Sequence, residues 1–368
     1  MKKTIILCCL FLIQSVGYSQ PNHVITGPTT IVNTNYVFNG MLAKTGADTI
    51  IIFDREGTDD GTANDSDIVM RAFTISSQTW GSLTTVHDPG AGRCVQSLGA
   101  RVVGSQIHVY FAEHPSGDTT ETEIKLIKST DLTASSWGSP TVIYTAAGGA
   151  FVQPSTLVDT SVSTVKYLVL AGYETGKKVH LLKSNDSGTT FTAGDVILYG
   201  GAANYSEASC VYIGNETIVC HIRDDAGTYV LQSVSTDDGA TWSTPTAQTA
   251  LGASTQQKVQ PRLYYDSTKN SLIAVYYDRG DGRLKISVTG VIDALANNWN
   301  ATENLGSLNG RGYPDIAPMD SPARNFLIQY AREISSSRAD TVWFKYNNLY
   351  QTITVGGGLT IGGGVTLD

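Results

Sequence analysis

Apolar residues in this chain come in short runs in which apolar and polar side chains alternate or β-branched residues dominate, as is typical of β-strands. No long stretch repeats its apolar positions with the helical period of 3.6 residues. The runs fall into six consecutive groups of three predicted strands. They span residues 36–42, 49–53 and 67–73; 94–103, 106–112 and 123–128; 151–158, 166–171 and 179–184; 206–213, 216–222 and 229–235; 261–266, 271–277 and 284–288; and 313–318, 325–330 and 341–346.

One polar motif recurs after these groups and reads Ser-x-Asp-x-Gly-x-x-aromatic. Its best copy is Ser235–Trp242, a second is Ser184–Phe191, and worn copies end three other groups. A fixed period of about fifty to sixty residues, with several strands in each unit, indicates propeller blades. The closing aromatic residues are Trp80, Trp137, Phe191, Trp242 and Trp299.

The motif has the chemistry of a hairpin turn. The Asp can accept backbone N–H bonds across the turn, the Gly can take a positive φ, and the aromatic ring can pack under the sheet. It is therefore a folding device and not a catalytic site. The motif resembles the Asp-box, or bacterial neuraminidase repeat, of the sialidase superfamily. The resemblance implies an all-β fold, a six-bladed β-propeller of four-stranded antiparallel blades with Asp-box turns, over residues 21–350.

The two ends of the chain differ from this repeat. Residues 1–20 carry Lys2 and Lys3 before a short apolar run and are predicted to be a cleavable signal peptide, so we expect a secreted or periplasmic protein without a membrane span. A run at 24–32 is a candidate strand that could complete the last blade. Residues 351–368 form a Gly-rich tail, interpreted either as an extension or as the start of an attachment segment.

Charge and cysteine content limit the function. The 368 residues have a net charge of −8 and no run of Lys or Arg, so nucleic acid is not an expected partner. Three cysteines remain after the signal peptide, and because this number is odd they cannot all pair in disulfides within the chain. Cys210 and Cys220 flank a turn symmetrically and could form a cross-strand disulfide, and buried free thiols are the alternative.

The resemblance to sialidases extends to candidate catalytic residues. Tyr313, in Gly312-Tyr313-Pro314-Asp315, looks like the nucleophilic tyrosine of that family, and Glu207 looks like the glutamate that accepts its phenol proton. A tyrosine with a pKa near 10 is a weak nucleophile without such a base. The family acid/base then falls at Asp59 or Asp60, in an acidic loop that is also a possible calcium site. No cofactor and no standard metal-binding motif is expected.

Arginines would bind the carboxylate of an acidic sugar, because guanidinium forms a two-pronged hydrogen-bonded pair with carboxylate. Arg223, Arg279 and Arg55 each end a second strand and resemble family arginines, with Arg283 in reserve. Each could instead be a solvated or rim residue.

One position departs from the family pattern. The first family arginine stands in an Arg-Ile-Pro motif, and here Phe38 and Gly40 occupy the places of the arginine and the proline. Losing one guanidinium leaves a buried carboxylate under-paired, so sialic acid itself is in question. Arg101 or Arg262 could supply the missing charge.

These observations support three hypotheses. The first is a secreted exoglycosidase that removes terminal sialic acid or a related acidic sugar from glycans with retention. The second is a non-catalytic glycan-binding propeller on a cell or virion surface. The third, a polysaccharide lyase that uses His221 or His114 as base, has no supporting motif.

Overall fold

The computed structural model is built almost entirely of β-strands. It describes residues 23–31, 36–57, 66–118, 121–146, 152–172, 179–192, 195–199, 205–225, 227–254, 258–307, 312–320, 325–335, 338–348, 353–355 and 359–361. Within these residues the longest helix is α1 (Val291–Leu295). The predicted signal peptide and the loop with Asp59 and Asp60 lie outside the described residues, so both remain predictions.

The strands follow the predicted order closely. Their bounds are β1 (His23–Ile31), β2 (Tyr36–Lys44), β3 (Thr49–Gly57), β4 (Ser66–Thr74), β5 (Thr79–Trp80), β6 (Thr84–His87), β7 (Arg93–Val103), β8 (Gln106–Pro115), β9 (Glu123–Lys128), β10 (Thr141–Thr145), β11 (Val152–Asp159), β12 (Lys166–Gly172), β13 (Val179–Ser184), β14 (Asp195–Tyr199), β15 (Tyr205–Gly214), β16 (Thr217–Asp224), β17 (Val230–Ser235), β18 (Thr246–Ala247), β19 (Lys258–Asp266), β20 (Ser271–Asp278), β21 (Arg283–Gly290), β22 (Glu303–Ser307), β23 (Gly312–Pro318), β24 (Asn325–Ser335), β25 (Arg338–Asn348), β26 (Ile353–Val355) and β27 (Leu359–Ile361).

Consecutive strands pair antiparallel in groups of four. Three groups are separate four-stranded sheets, β11–β14, β15–β18 and β19–β22. The strands from β1 to β10 and from β23 to β25 belong to one 13-stranded sheet, which differs from a set of six separate sheets. The reason is local: single parallel pairs, Tyr36 with Ala339 and Ser66 with Cys94, join groups that are otherwise distinct.

The N-terminal strand completes the last group. β1 pairs antiparallel with β25, from His23 opposite Asn348 to Ile31 opposite Thr341. The expectation for residues 24–32 is therefore confirmed. The tail contains a short hairpin of β26 and β27, with Thr354 opposite Thr360.

The first strands of the six groups lie next to one another. β2 contacts β7, β7 contacts β11, β11 contacts β15, β15 contacts β19, β19 contacts β23, and β23 contacts β2. The hydrophobic core lies between neighbouring groups. In one cluster, for example, Tyr167 and Val169 of β12 pack with Ile218 and Ile222 of β16. The first strands therefore form a ring of contacts.

The repeated turn has the predicted geometry in its two best copies. Asp237 accepts the backbone N–H of Thr241 at 2.8 Å, and Gly239 has a φ of 87°. Trp242 donates from Nε1 to the Gly239 carbonyl and packs against the neighbouring core cluster. Asp186 makes the same bond to the N–H of Thr190 at 2.8 Å. These side chains stabilise the turn and take no part in a site.

The cysteines resolve the alternative that the sequence leaves open. Cys210 of β15 and Cys220 of β16 stand directly opposite each other and form a disulfide. Cys94 is a buried free thiol. No helix among the described residues is long and apolar enough to cross a membrane.

Candidate functional site

A β-bulge recurs in all six first strands and organises the site. In β15, residues Tyr205 to Ala208 pair with Asp224 to Ile222, so the first strand uses one residue more than the second. The same extra residue occurs in β2, β7, β11, β19 and β23. A bulge re-aims side chains and is common beside functional sites. Glu207 and Tyr313 lie within two of these bulges.

Tyr313 stands in a strained backbone conformation inside the bulge of β23. Its φ is 59°, which is rare for a bulky residue and typical of functional positions. Arg223 donates a hydrogen bond to the phenol. Burial raises the pKa of Tyr313, and the charge of Glu207 raises it further, while Arg223 and Arg279 oppose both effects. The phenol is therefore protonated at neutral pH and needs a base before it can act as a nucleophile.

Glu207 and Arg223 form the centre of the site. Glu207 Oε1 lies 3.0 Å from Nη1 of Arg223, and its Oε2 accepts the backbone N–H of Gln260 at 2.8 Å. Asp225 holds the other side of the guanidinium, with Oδ1 2.6 Å from Nε. Burial opposes the charge of Arg223, but Glu207 and Asp225 raise its pKa above the ordinary value. Arg223 is thus a fixed cation beside the Tyr313 phenol.

The two predicted arginines Arg279 and Arg283 differ in their relation to Tyr313. Arg279 follows β20 and its charge acts on Tyr313, which brings it to the site. The backbone of Arg283 pairs with Asp278 in the β20–β21 ladder, whereas Arg223 and Arg279 are the arginines whose charges lower the pKa of Tyr313 against burial and Glu207. Arg279 is therefore the stronger of the two candidates.

Arg55 is fully buried near the end of β3. Burial lowers the pKa of His114, and the charges of Arg55 and Arg93 lower it further against two backbone hydrogen bonds. Arg55 consequently lies close to His114, at the end of β8. A histidine with such a lowered pKa and two cationic neighbours is neutral at pH 7, and its Nδ1 lies 2.8 Å from the Pro115 carbonyl.

The structure gives a physical reason for the departure at Gly40. A β-carbon at Gly40 would lie 2.6 Å from Oδ1 of Asp54 and 2.7 Å from the amide of Gln329. Gln329 Nε2 also donates to the Gly40 carbonyl at 2.5 Å. The space that a proline would need is occupied, so the local arrangement of the Arg-Ile-Pro motif does not fit here. In the backbone, Phe38 pairs with Arg55.

The two suggested replacements for the missing arginine both have partners among the described residues. Arg262 is buried and donates to Ser155 Oγ at 2.6 Å and to the Pro314 carbonyl at 3.3 Å. Arg101 donates to the Leu157 carbonyl at 2.6 Å and pairs with Asp159. Burial lowers the pKa of Arg262 while the charges of Asp315 and Glu207 oppose this effect, so Arg262 lies near the site. A replacement by Arg262 or Arg101 stays a prediction.

The comparisons with known proteins agree with this architecture. The profile of the family described as the BNR repeat-like domain matches residues 48–322. The chain belongs to the sialidase superfamily. No curated protein matches this sialidase-superfamily chain significantly in sequence.

Solved structures resemble this sialidase-superfamily chain in fold. A protein of unknown function from Dyadobacter fermentans has 15% identity and a TM-score of 0.73, with 89% of this chain and 100% of that chain covered. A mutant of NanB sialidase from Streptococcus pneumoniae has 10% identity and a TM-score of 0.70, covering 87% and 70%. An intramolecular trans-sialidase from Ruminococcus gnavus, solved with oseltamivir carboxylate, has 11% identity and a TM-score of 0.65, covering 87% and 97%.

Several residues of this candidate site are not predicted from the sequence. Gln260 has a φ of 41°, and its backbone N–H holds Glu207. Gln329 and Asp54 fill the space behind Gly40. The signal that could have pointed to Gln260 is its place at the start of a first strand, equivalent to Glu207 and Tyr313. No cluster of three metal-ligating side chains occurs among the described residues.

A second ionic cluster lies at the end of β8. Glu113 pairs with Arg93 and with Lys125 Nζ at 2.7 Å, and His87 Nε2 lies 3.2 Å from its Oε2. Burial alone would raise the pKa of Glu113, but the bonds from His87, Lys125 and Arg93 lower it to about 2. The cluster joins β6, β7, β8 and β9 and fixes the neighbourhood of His114.

Proposed function

We propose that the protein is a sialidase-like exoglycosidase that releases terminal sialic acid, or a related acidic sugar, from glycans with retention of configuration. The observation that carries the proposal is the contact of one guanidinium with two groups. Arg223 donates to the Tyr313 phenol and forms the ion pair with Glu207. Most glycoside hydrolases use two carboxylates, and sialidases are an exception in which a tyrosine phenol beside a carboxylate is the nucleophile.

The first step forms a covalent bond between Tyr313 Oη and the anomeric carbon, and the glycosidic bond to the leaving oxygen breaks. The phenol proton passes to Glu207. A base is needed here because the pKa of Tyr313 is raised. Asp60 or Asp59 protonates the leaving oxygen. Water then attacks the anomeric carbon, giving up its proton to the same aspartate, and Tyr313 leaves by regaining its proton from Glu207.

The cations of the site would bind the sugar carboxylate. Arg223 and Arg279 act on the Tyr313 position from two different groups of strands, and Arg55 adds a third, buried guanidinium nearer β8. A buried carboxylate needs such paired, hydrogen-bonding charges to offset the cost of leaving water. Glu207 and Asp225 keep Arg223 charged and oriented before the sugar arrives.

The fold proposed with this activity is a closed six-bladed β-propeller with Asp-box turns. The ring of contacts among the six first strands supports it, as does the N-terminal strand that completes the last group. In such a fold the polar ends of the first strands converge on the axis, where a ligand can reach several of them. Export by the predicted signal peptide would expose the site to extracellular or periplasmic glycans.

A glycan-binding protein without catalysis is the second candidate. The observation that favours it is the crowding at Gly40, which leaves no place for the proline of the family's first arginine motif. With Phe38 in that segment, one positive charge of the family site has no counterpart here. Such a site would hold an acidic sugar without stabilising the charge that develops during its release.

The test is hydrolysis of a fluorogenic sialic acid glycoside by the purified protein, beside Tyr313→Phe and Tyr144→Phe. Tyr144 lies on β10, the outer strand of its group, and is the matched control for loss of a hydroxyl. Release by the wild type and by Tyr144→Phe, with none by Tyr313→Phe, would support the proposal. If all three proteins fail to release product and a glycan array shows tight binding, the second candidate replaces it.

A further inference from the structure

The bulges of the neighbouring first strands β19 and β23 have the same form. Each places a residue with positive φ directly before a proline. Gln260 has a φ of 41° before Pro261, and Tyr313 has a φ of 59° before Pro314. The strand that carries the proposed nucleophile is therefore matched, bulge for bulge, by the strand beside it.

The backbone of Tyr313 is costly to hold in this conformation. A residue before proline favours extended backbone, and a positive φ is rare for a bulky side chain. Such a conformation persists only where the surrounding contacts determine it. Pro314 has no N–H, so its carbonyl is the one backbone group of this residue that can form a hydrogen bond. The partner of that carbonyl consequently affects where the Tyr313 phenol lies.

Arg262 of β19 is the partner of the Pro314 carbonyl. Its Nε donates to that carbonyl at 3.3 Å, and its Nη1 donates to Ser155 Oγ of β11 at 2.6 Å. Nη2 lies 2.9 Å from Sδ of Met41 of β2. Arg262 is only 1% exposed, so these contacts fix the guanidinium within the ring of first strands. One rigid side chain thus supports the peptide group next to the nucleophile.

The same bulge of β19 also holds the proposed base. The backbone N–H of Gln260 donates to Glu207 Oε2 at 2.8 Å. Asp315, the residue after Pro314, lies 3.8 Å from Nε of Arg262 and accepts the backbone N–H of Leu42 at 2.7 Å. Two residues of β19, Gln260 and Arg262, therefore contact the Glu207 carboxylate and the backbone that carries Tyr313.

We propose that Arg262 is a positioning residue of the Tyr313 site, which holds the Pro314 peptide group and with it the Tyr313 phenol at the distance from Glu207 that proton transfer requires. In this role the guanidinium does not touch the sugar. Its kinetic effect rests on the proposed hydrolysis, whereas its contacts with β2, β11 and β23 do not. A small misplacement of reacting groups slows the chemical step and leaves substrate binding largely intact.

The first test compares Arg262→Lys with the wild type in steady-state hydrolysis of a fluorogenic sialic acid glycoside. Lysine keeps the positive charge but lacks the planar fork that reaches Ser155 and the Pro314 carbonyl together. We expect kcat to fall by about 10²-fold and KM to stay within about twofold. Arg71→Lys, on the third strand β4 of its group, is the control and should retain both constants.

The second test restores the guanidinium without the side chain. Arg262→Ala should regain at least about a tenth of the wild-type kcat when guanidinium ion is added below the concentrations that unfold the protein. Urea, a neutral molecule of similar shape, should not restore it. Should Arg262→Ala fail to fold, Ser155→Ala removes one acceptor of the guanidinium and should lower kcat several-fold at unchanged KM.

Two kinetic results would overturn the proposal. The first is a kcat of Arg262→Lys equal to that of the wild type. The second is a large rise in KM at unchanged kcat, because that is the effect expected of a guanidinium that binds the sugar carboxylate in place of the missing arginine.

A measurement without turnover separates this proposal from the proposed function. In protein labelled with ¹³C at tyrosine Cζ, the Tyr313 signal is the one that is absent from Tyr313→Phe. Arg262→Lys should shift this signal, and Arg71→Lys should not. A wild type that releases no sugar but shows this shift would refute the proposed function alone. An unchanged Tyr313 signal in Arg262→Lys would overturn the positioning role whether or not the wild type is active.

Discussion

Glu207 lies 3.0 Å from Arg223, and this ion pair fixes the carboxylate beside the Tyr313 phenol. The pair is nearly buried, and Gln260 and Asp225 hold its two ends. A buried ion pair is costly to break because each charge depends on the other for compensation. In this site the pair links the proposed base to the proposed carboxylate-binding cation, so removal of either charge should lower both catalysis and stability.

Replacing Arg223 with lysine should reduce kcat/KM for a fluorogenic sialic acid glycoside by about 10²-fold or more, because lysine retains the charge but loses the planar fork. Arg279→Lys should reduce it in the same direction. Arg283→Lys, at the reserve position, should stay within about twofold of the wild type. Equal kcat/KM values for Arg223→Lys and Arg283→Lys would contradict the placement of Arg223 in the site.

Gly40→Ala should lower the free energy of unfolding by about 1–3 kcal/mol, because the added β-carbon would meet Asp54 and Gln329 at 2.6–2.7 Å. The matched control is Gly46→Ala, where the nearest heavy atom would be Thr49 Cβ at 4.0 Å. Urea unfolding of both variants measures the difference. The crowding at Gly40 would be refuted if both substitutions cost the same.

Glu113 should stabilise the protein in mild acid. Its pKa is about 2 in the folded protein and 4.5 ordinarily, so its contribution is fully present above pH 4.5 and is lost as the pH falls towards 2. Glu113→Gln should remove about 1–2 kcal/mol of that pH dependence, after allowance for screening by solvent. Chemical unfolding of both proteins at pH 6, 4 and 3 measures it. Parallel curves for the two proteins would show that Glu113 does not carry this dependence.

Asp54 should have the opposite effect on the pH dependence. Burial raises its pKa to about 7 against the charge of Arg71, so the folded state holds a proton that the unfolded state releases above about pH 4. Stability should therefore decrease as the pH rises from about 4 to about 7. Asp54→Asn should lack this decrease and gain stability relative to the wild type between pH 5 and pH 8. A constant difference between the two proteins over that range would contradict the assignment.

Much of the fold could be predicted from sequence, because strand alternation and the recurring turn are local signals. Asp237 and Gly239 act in their turn as their residue types require. The resemblance to sialidases also points to Glu207, Arg223 and Tyr313, which the structure brings together. Such predictions of strands and turns need only the order of residues along one or two strands.

The remaining features depend on register between strands, which a single sequence does not carry. The extra residue in each first strand appears only when both strands are aligned, and it determines where Gln260 points its N–H. The conflict between Gly40 and Asp54 arises across two strands in the same way. The contacts of Arg262 also could not be predicted from the sequence, because its partners lie on strands more than fifty residues away along the chain.

The position of Arg262 also affects how substrate could enter the ring of first strands and how product could leave it. Its guanidinium, on β19, contacts β2, β11 and β23 and so lies across the middle of the ring of first strands. Under the proposed reaction, a released sugar leaves through the same mouth by which the next glycan enters. The released sugar and the next glycan then compete for one opening. High product concentrations would therefore inhibit turnover.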